Sequence, residues 1–382
     1  MKAIINGIIL TPQKELKGMA LLFDTKFRGL IPENELTDEE IIDAHGRYIA
    51  PGLIDVHIHG YLNQDISDGS EEGARIMAEN ILANGVTSFL PTTMTVSWSE
   101  IEKAIDVIKE LIPLSMEESF AGAQILGCHA EGPFINPQRK GAQSADFIIP
   151  PDAQLLLPHR DVVRIITMAP ELEGGLEFIK EVTTQSDIVV SIGHSNASFE
   201  EAKEAITAGA SHVTHLFNAQ TGLNHREPGI VGAALSSDVS AELIADAFHV
   251  HPGLFSMLYA IKKDLLVLVT DCTRAGGLPD GEYSLGGQPI FVKGIECRLA
   301  DGTIAGSVLR LNDAVRNLHH LGGVSLIDSV HAASLSAARC IGEDKRKGSI
   351  EVGKDADFIF IDDNCRVYST YIRGTLKYSK EN

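Results

Sequence analysis

Apolar runs of strand length alternate with stretches of helical period through most of this chain. The runs are Leu53–Ile58, Val86–Thr92, Ile125–Ala130, Val163–Ala169, Ile188–Gly193, Val213–Phe217, Leu243–Ala247 and Leu265–Thr270. Between them apolar residues recur at helical spacing, as in Glu71–Asn84, Ser99–Leu111, Phe199–Ala208 and His251–Lys262. Strands apolar on both faces, each followed by a helix, predict a parallel sheet covered on both sides. Eight such units fit a closed (β/α)8 barrel of the TIM type. An open doubly wound sheet would need a Gly-rich phosphate turn after the first strand, and the residues there are His57-Ile58-His59-Gly60 instead.

The two ends of the chain have a different pattern. Short β-type runs occur at Lys2–Leu10 (broken by Asn6-Gly7), Met19–Phe23 and Arg47–Ala50, and again at Phe358–Ile361 and Tyr368–Ile372. Neither end has enough apolar residues for a core of its own. We expect both to pair into one small β-sandwich, residues 1–51 with 352–382, beside a barrel of residues 52–351. After Asp271 the alternation breaks. Gly281–Leu299 carries short alternating strands with Gly286-Gly287 and Lys293-Gly294 turns, which predicts a β-hairpin insertion around 276–300 near the top of the barrel. Helices resume at Leu311–Leu321 and Leu326–Ala338.

Polar residues close several of the apolar runs. His57 and His59 end the first and, with period two, share one face, so both can reach one metal ion. Glu131 ends the Ala123–Cys128 segment after His129-Ala130, and His194 and His215 end the runs beginning at Ile188 and His212. Asp271 ends Leu265–Thr270. Metal-ligand residue types at the C-terminal ends of successive buried strands describe a metallohydrolase site on a barrel. Glu131 can bridge two ions, although a carboxylate there is also expected simply to pair with a basic side chain. His129 and His212 read as satisfied core histidines. Asp271 suits a further ligand, a helix-terminus partner or, if the histidines hold metal, a general acid/base. Arg226, in the loop Asn224–Gly229, is a natural fork for phosphate or carboxylate, and His249 is a candidate donor to substrate. Ile304-Ala305-Gly306 is a small-residue loop that a ligand can approach closely.

Charge and cysteines narrow the partners. With 32 basic and 52 acidic residues among 382, the net charge of −20 argues against a nucleic acid or an acidic membrane surface, though not against a small phosphorylated substrate. Five dispersed cysteines without zinc-knuckle spacing fit a reduced, cytoplasmic protein. Met1–Leu10 lacks the long apolar region of a signal peptide, and no stretch is long and apolar enough to span a bilayer.

Several motifs together resemble the N-acetylglucosamine-6-phosphate deacetylases of the amidohydrolase superfamily, along nearly the whole chain. They are Pro51–Gly60 (Pro-Gly-Leu-Ile-Asp-Val-His-Ile-His-Gly), His129–Phe134, Gly193–Ala197, Thr214–Ala219, His225–Gly229, Leu278–Tyr283 and Ala305–Ser307. The first is shared across the superfamily; the combination of the others is specific. The resemblance implies hydrolysis of the N-acetyl group of a hexosamine 6-phosphate, with one or two divalent ions per subunit: Zn, Fe, Mn or Co, with Zn or Fe foremost. It places Glu131, His194 and His215 on a principal metal site, His57 and His59 on a second, and Asp271 as catalytic acid/base. It implies sugar-phosphate contacts by Ala142, Gln143, Asn218, Ala219, Arg226, Asp246, Ala247, Phe248, His249, Ile304, Ala305 and Gly306. Arg226 is expected to reach the phosphate from a neighbouring subunit of a homodimer. The chain departs from the family pattern at Gln143, where a substrate histidine is expected, at Asp246-Ala247-Phe248-His249, and at Cys272-Thr273. None of these is expected to touch a ligand position. Gln143 leaves the N-acetylgalactosamine epimer as a rival substrate. A dihydroorotase-like cyclic amidase and a non-catalytic scaffold are the more distant alternatives.

Overall fold

The computed structural model describes residues 1–380. Eight parallel strands form a barrel: β1 (Leu53–Ile58), β2 (Val86–Thr93), β3 (Gln124–Ile125 continued by Cys128–Glu131), β4 (Val163–Met168), β5 (Val189–Ile192), β6 (His212–Val213), β7 (Ser240–Ile244) and β8 (Leu266–Val269). Neighbours pair in chain order, and both pieces of β3 pair with β2. Closure falls between β8 and β1. Asp271 N–H donates to His57 O at 2.8 Å and His59 N–H to Cys272 O at 2.9 Å. The buried Asp55 carboxylate accepts Thr270 Oγ1–H at 2.7 Å across the same seam.

Both chain ends meet in one sheet. Its six strands lie in the order Thr375–Ser379, Val367–Ile372, Phe358–Ile361, Tyr48–Pro51, Ile8–Leu10 and Glu15–Lys17. A four-stranded sheet of Phe27–Pro32, Met19–Phe23, Lys2–Ile5 and Glu40–Asp43 supplies Ile4, Leu21, Phe23 and Phe27 to a core shared with Ile9, Ile49 and Phe358. Phe358 stacks on Tyr371 with ring centroids 4.4 Å apart. This is the expected sandwich: two amphipathic sheets, each too small to bury its apolar face alone. Gly52 alone joins Tyr48–Pro51 to β1, and a Cβ there would lie 2.2 Å from Thr87 Oγ1. Between barrel and sandwich the buried Lys347 ammonium donates to Gln124 of β3 and to Asp357, which leads into the sandwich strand Phe358–Ile361.

Three elements differ from their expectations. The run Val213–Phe217 leaves the sheet after Val213, and Thr214–Phe217 forms turns, because Glu242 takes the His215 N–H at 2.9 Å out of the ladder. The stretch Leu326–Ala338 is not one helix but two, Leu326–Ala332 and Leu335–Cys340. Its break leaves the Ala333 carbonyl to accept Ile54 N–H of β1 at 2.8 Å. The insertion is a three-stranded antiparallel sheet, Gly281–Leu285, Gln288–Lys293 and Glu296–Leu299. Gln288 Nε2 donates to Ala142 O at 2.7 Å and ties it to the loop after β3.

Candidate metal centre

β1 is buried at every position, so its alternation sends His57 one way with Asp55 and His59. Their Nε2 atoms lie 3.3 Å apart. Asp271, just beyond β8, brings Oδ1 to 3.5 Å from His57 Nε2 and 3.2 Å from His59 Nε2. Opposite stand His194 and His215, with Nε2 atoms 3.1 Å apart and each 3.1 Å from Glu131 Oε1. Glu131 spans the halves, because its Oε2 is 3.3 Å from His59 Nε2 and its Oε1 is 3.4 Å from His57 Nε2. The five residues predicted as metal ligands and Asp271 thus converge on one spot.

The donor chemistry of this cluster fits divalent cations. Each ring has Nδ1 facing a group that only accepts: His194 faces Arg139 O at 2.9 Å, His215 Asn218 O at 3.1 Å, His59 Thr92 O at 3.1 Å and His57 the Glu242 carboxylate at 2.9 Å. Nδ1 therefore carries the hydrogen, and in the neutral ring Nε2 is a bare lone pair. Two inward lone pairs and a carboxylate oxygen at such distances repel unless a cation sits among them. Their spacing is close to the ~3.3 Å edge of a tetrahedron with metal bonds of about 2.05 Å. Burial works against charge on Glu131 and Asp271; with no cation among them the facing rings take up protons instead, and as imidazolium they hold both carboxyls below their ordinary values. Each half of the cluster offers its own set of three donors, Glu131–His194–His215 and His57–His59–Asp271.

Backbone strain marks the same place. His194 (φ 47°), His215 (φ 27°), Phe217 (φ 80°), Ala219 (φ 49°), Ala247 (φ 67°) and Asp271 (φ 50°) are left-handed. Such conformations cost about 1–3 kcal/mol each in a non-glycine residue and gather at functional sites. Gly306 (φ 56°) passes Asp271 closely: a Cβ there would lie 2.9 Å from Asp271 O.

Sequence reasoning missed Glu242. It lies on β7, fully buried, and accepts from His57, His212 and the His215 amide. Burial alone would raise its pKa, but the His57 and His212 rings hold it well below the usual carboxylate range. The available signal was a lone glutamate in the apolar run Ala241–Ala245. His212 and His129 are core residues as expected. His129 bonds Val56 O at 3.0 Å and Thr167 Oγ1 at 2.8 Å, and burial together with the adjacent His57 ring pushes its pKa down to about 3.

The cluster floors a cavity of about 300 Å³, at the small end of ligand sites. Of the predicted substrate contacts, Ala142, Gln143, Asn218, Ala219, His249, Ile304 and Gly306 line it, joined by Met94, Phe217, Leu285 and Thr303. Leu285 comes from the insertion, which thereby walls the site. Arg226, Asp246, Ala247, Phe248 and Ala305 do not line the cavity. Asp246 instead holds His249, accepting its Nδ1–H at 2.6 Å and its backbone N–H at 2.8 Å. Ala305 is fully buried, and Arg298 lies 4.9 Å over the Phe248 ring. Arg226 is exposed and donates to His225 Nε2 at 2.8 Å, in a separate cleft with Arg139, Leu223 and Pro228. The expectation that Gln143 touches no metal-ligand position is overturned. Its Oε1 accepts Thr95 N–H at 2.7 Å and its amide donates to Glu131 Oε2, because the Lys140–Gln143 turn points it into the centre.

A profile of the amidohydrolase family matches residues 48–377. An N-acetylglucosamine-6-phosphate deacetylase of Bacillus subtilis (strain 168) is 40% identical over 340 residues, covering 87% of this chain and 85% of that protein. An N-acetylgalactosamine-6-phosphate deacetylase of Escherichia coli O157:H7 is 36% identical over 353 residues, covering 91% and 92%. The crystal structure of an N-acetylglucosamine-6-phosphate deacetylase from Pasteurella multocida superposes with a TM-score of 0.93 at 31% identity, covering 99% of this chain and 100% of that one.

Proposed function

We propose that this chain, which belongs to the amidohydrolase family, hydrolyses N-acetyl-D-glucosamine 6-phosphate to glucosamine 6-phosphate and acetate. The observation that carries the reading is Glu131 set between two inward-facing histidine pairs on the floor of a cavity of about 300 Å³. His194, His215 and Glu131 would hold one ion and His57, His59 and Asp271 a second, with Zn or Fe suited to these donors. When bound, such ions supply Lewis acidity and a water acidified towards neutral pH.

The remaining roles belong to side chains. Asp271 lines the cavity beside both β1 histidines, so it is placed to take a proton from the water that attacks the acetamide carbonyl. It then delivers that proton to the departing nitrogen, which leaves as a neutral amine only once protonated. His249, with Nδ1–H committed to Asp246, presents Nε2 to the cavity as an acceptor for a sugar hydroxyl. Neither lysine nor arginine lines the cavity among the described residues. A phosphate therefore needs a cation from elsewhere, and Arg226 of a second copy supplies it in our reading, making the enzyme a homodimer. The five cysteines are all free, which suits a reducing cytoplasm. Among the described residues no helix is long and apolar enough to cross a membrane.

Acetate release is measured on the gluco and galacto 6-phosphates and on unphosphorylated N-acetylglucosamine, before chelation, after it and after metal is restored. The gluco phosphate should have the highest kcat/KM, lost on chelation and recovered on reloading. A faster galacto phosphate would reassign the sugar, and no acetate from any of them would reject the reaction. Arg226→Ala should raise KM for both phosphates and leave the unphosphorylated amide unchanged. A fully active monomer would reject the shared site.

A further inference from the structure

A buried carboxylate in mid-strand is costly unless its oxygens are paired, and Glu242 pairs both of them unequally. Oε1 accepts His212 Nε2–H at 3.2 Å. Oε2 accepts twice, from His57 Nδ1–H at 2.9 Å and from the backbone N–H of His215 at 2.9 Å. His57 belongs to one half of the centre and His215 to the other. We infer that Glu242 is a positioning residue that couples the two metal positions through this single oxygen. The inference rests on the two-ion reading above.

The oxygen acts differently on each side. Towards His57 it fixes the ring with its hydrogen at Nδ1 and places negative charge behind it, so Nε2 becomes a stronger donor to a cation. Towards His215 it holds the backbone N–H out of the sheet ladder, at the left-handed turn (φ 27°). His212 completes the arrangement. With its Nδ1 on Ser240 Oγ at 2.6 Å, the ring is fixed, and with Oε1 bound to it the carboxylate cannot turn away from both partners. Seating His215 around an ion therefore also seats Oε2 behind His57. By thermodynamic reciprocity, what is lost at one position is felt at the other.

The test is titration of the metal-free protein with cobalt(II), following visible absorption and bound metal per chain. Wild type should bind two ions. Glu242→Gln keeps the shape and an acceptor oxygen but loses the charge. It should keep the first ion and weaken the second about 10- to 100-fold. His212→Asn, which frees Oε1, should act in the same direction more weakly. Reciprocity gives a sharper sign. His57→Asn should weaken the first ion about fivefold or more relative to His59→Asn, because only His57 touches Glu242, and in a Glu242→Gln background that difference should vanish. Melting of each protein with and without cobalt separates positioning from a merely structural role. Positioning shrinks the metal-induced rise in Tm, whereas a structural role lowers the metal-free Tm and leaves the rise intact. Unchanged affinities in Glu242→Gln, equal first-ion affinities in the His57 and His59 variants, or a single ion in wild type would each overturn the coupling. Two coupled ions without acetate release would instead overturn the proposed reaction and leave the coupling standing.

Discussion

His57 and His59 reach the candidate metal centre from a regular strand and its immediate end, whereas His194 and His215 reach it from left-handed turns beyond β5 and β6. The first pair takes its direction from alternation, and one of its rings leans on a buried carboxylate. The second pair has no such alternation. Its rings are aimed by two loop carbonyls, Arg139 O and Asn218 O, and by strained backbone. A strand holds its side chains through the whole sheet, so the His57 side should be stiff. A strained turn persists only while its surroundings over-determine it, so the His194 side should depend on its loops and on the ion itself.

Removing what the two sides share should have the largest effect. Glu131→Ala takes the bridging carboxylate from both, and metal analysis should find neither ion, with acetate release abolished; retention of both ions would show that the two sides are independent. Asp271→Asn should come next. A positioned proton carrier contributes about 10²- to 10⁴-fold, so turnover should fall by that much in single-turnover assays while the Glu131–His194–His215 ion stays. Wild-type rates in this variant would take Asp271 out of the chemistry.

Smaller changes test each side alone. His57→Asn with His59→Asn should lower metal content by one ion per chain and leave the other, and the corresponding pair at His194 and His215 should remove the complementary ion. If either double variant loses both ions, the sides are not separable. Gln143→Ala leaves Thr95 N–H and Glu131 Oε2 each without a partner at a buried site. It should destabilise the metal-free fold by about 1–3 kcal/mol in urea unfolding. A neutral result would mean that water replaces the amide.

The smallest effect addresses the backbone difference directly. At His194, glycine should give a metal-free protein about 1 kcal/mol more stable than alanine, because the left-handed φ penalises any Cβ. At His57 the order should reverse by about 0.5–1 kcal/mol, because glycine weakens a strand. The same order at both positions would remove the contrast drawn between strand and turn.

Much of this was legible along the chain. The barrel follows from apolar runs separated by helical periods, and His57 with His59 follows from period two within one run. Glu131, His194, His215 and Asp271 were legible as polar residues closing apolar strands, since in a parallel barrel every such end lies on one rim. Both ends of the chain were readable as one sandwich because neither had enough apolar surface to stand alone. Tertiary structure alone decided the rest. His57 and Glu242 are 185 positions apart, and only closure of β8 onto β1 brings β7 round to face them. The Val213–Phe217 run looks like a strand, yet Glu242 draws the His215 amide away and turns it. Gln143 reads as a group for the sugar and does line the cavity, but only the turn at Lys140 shows that it also reaches Glu131. Local pattern sets which face a side chain takes, because alternation is a property of neighbouring residues. Which faces meet depends on strand register and loop path, and those are set by contacts between residues far apart in the chain.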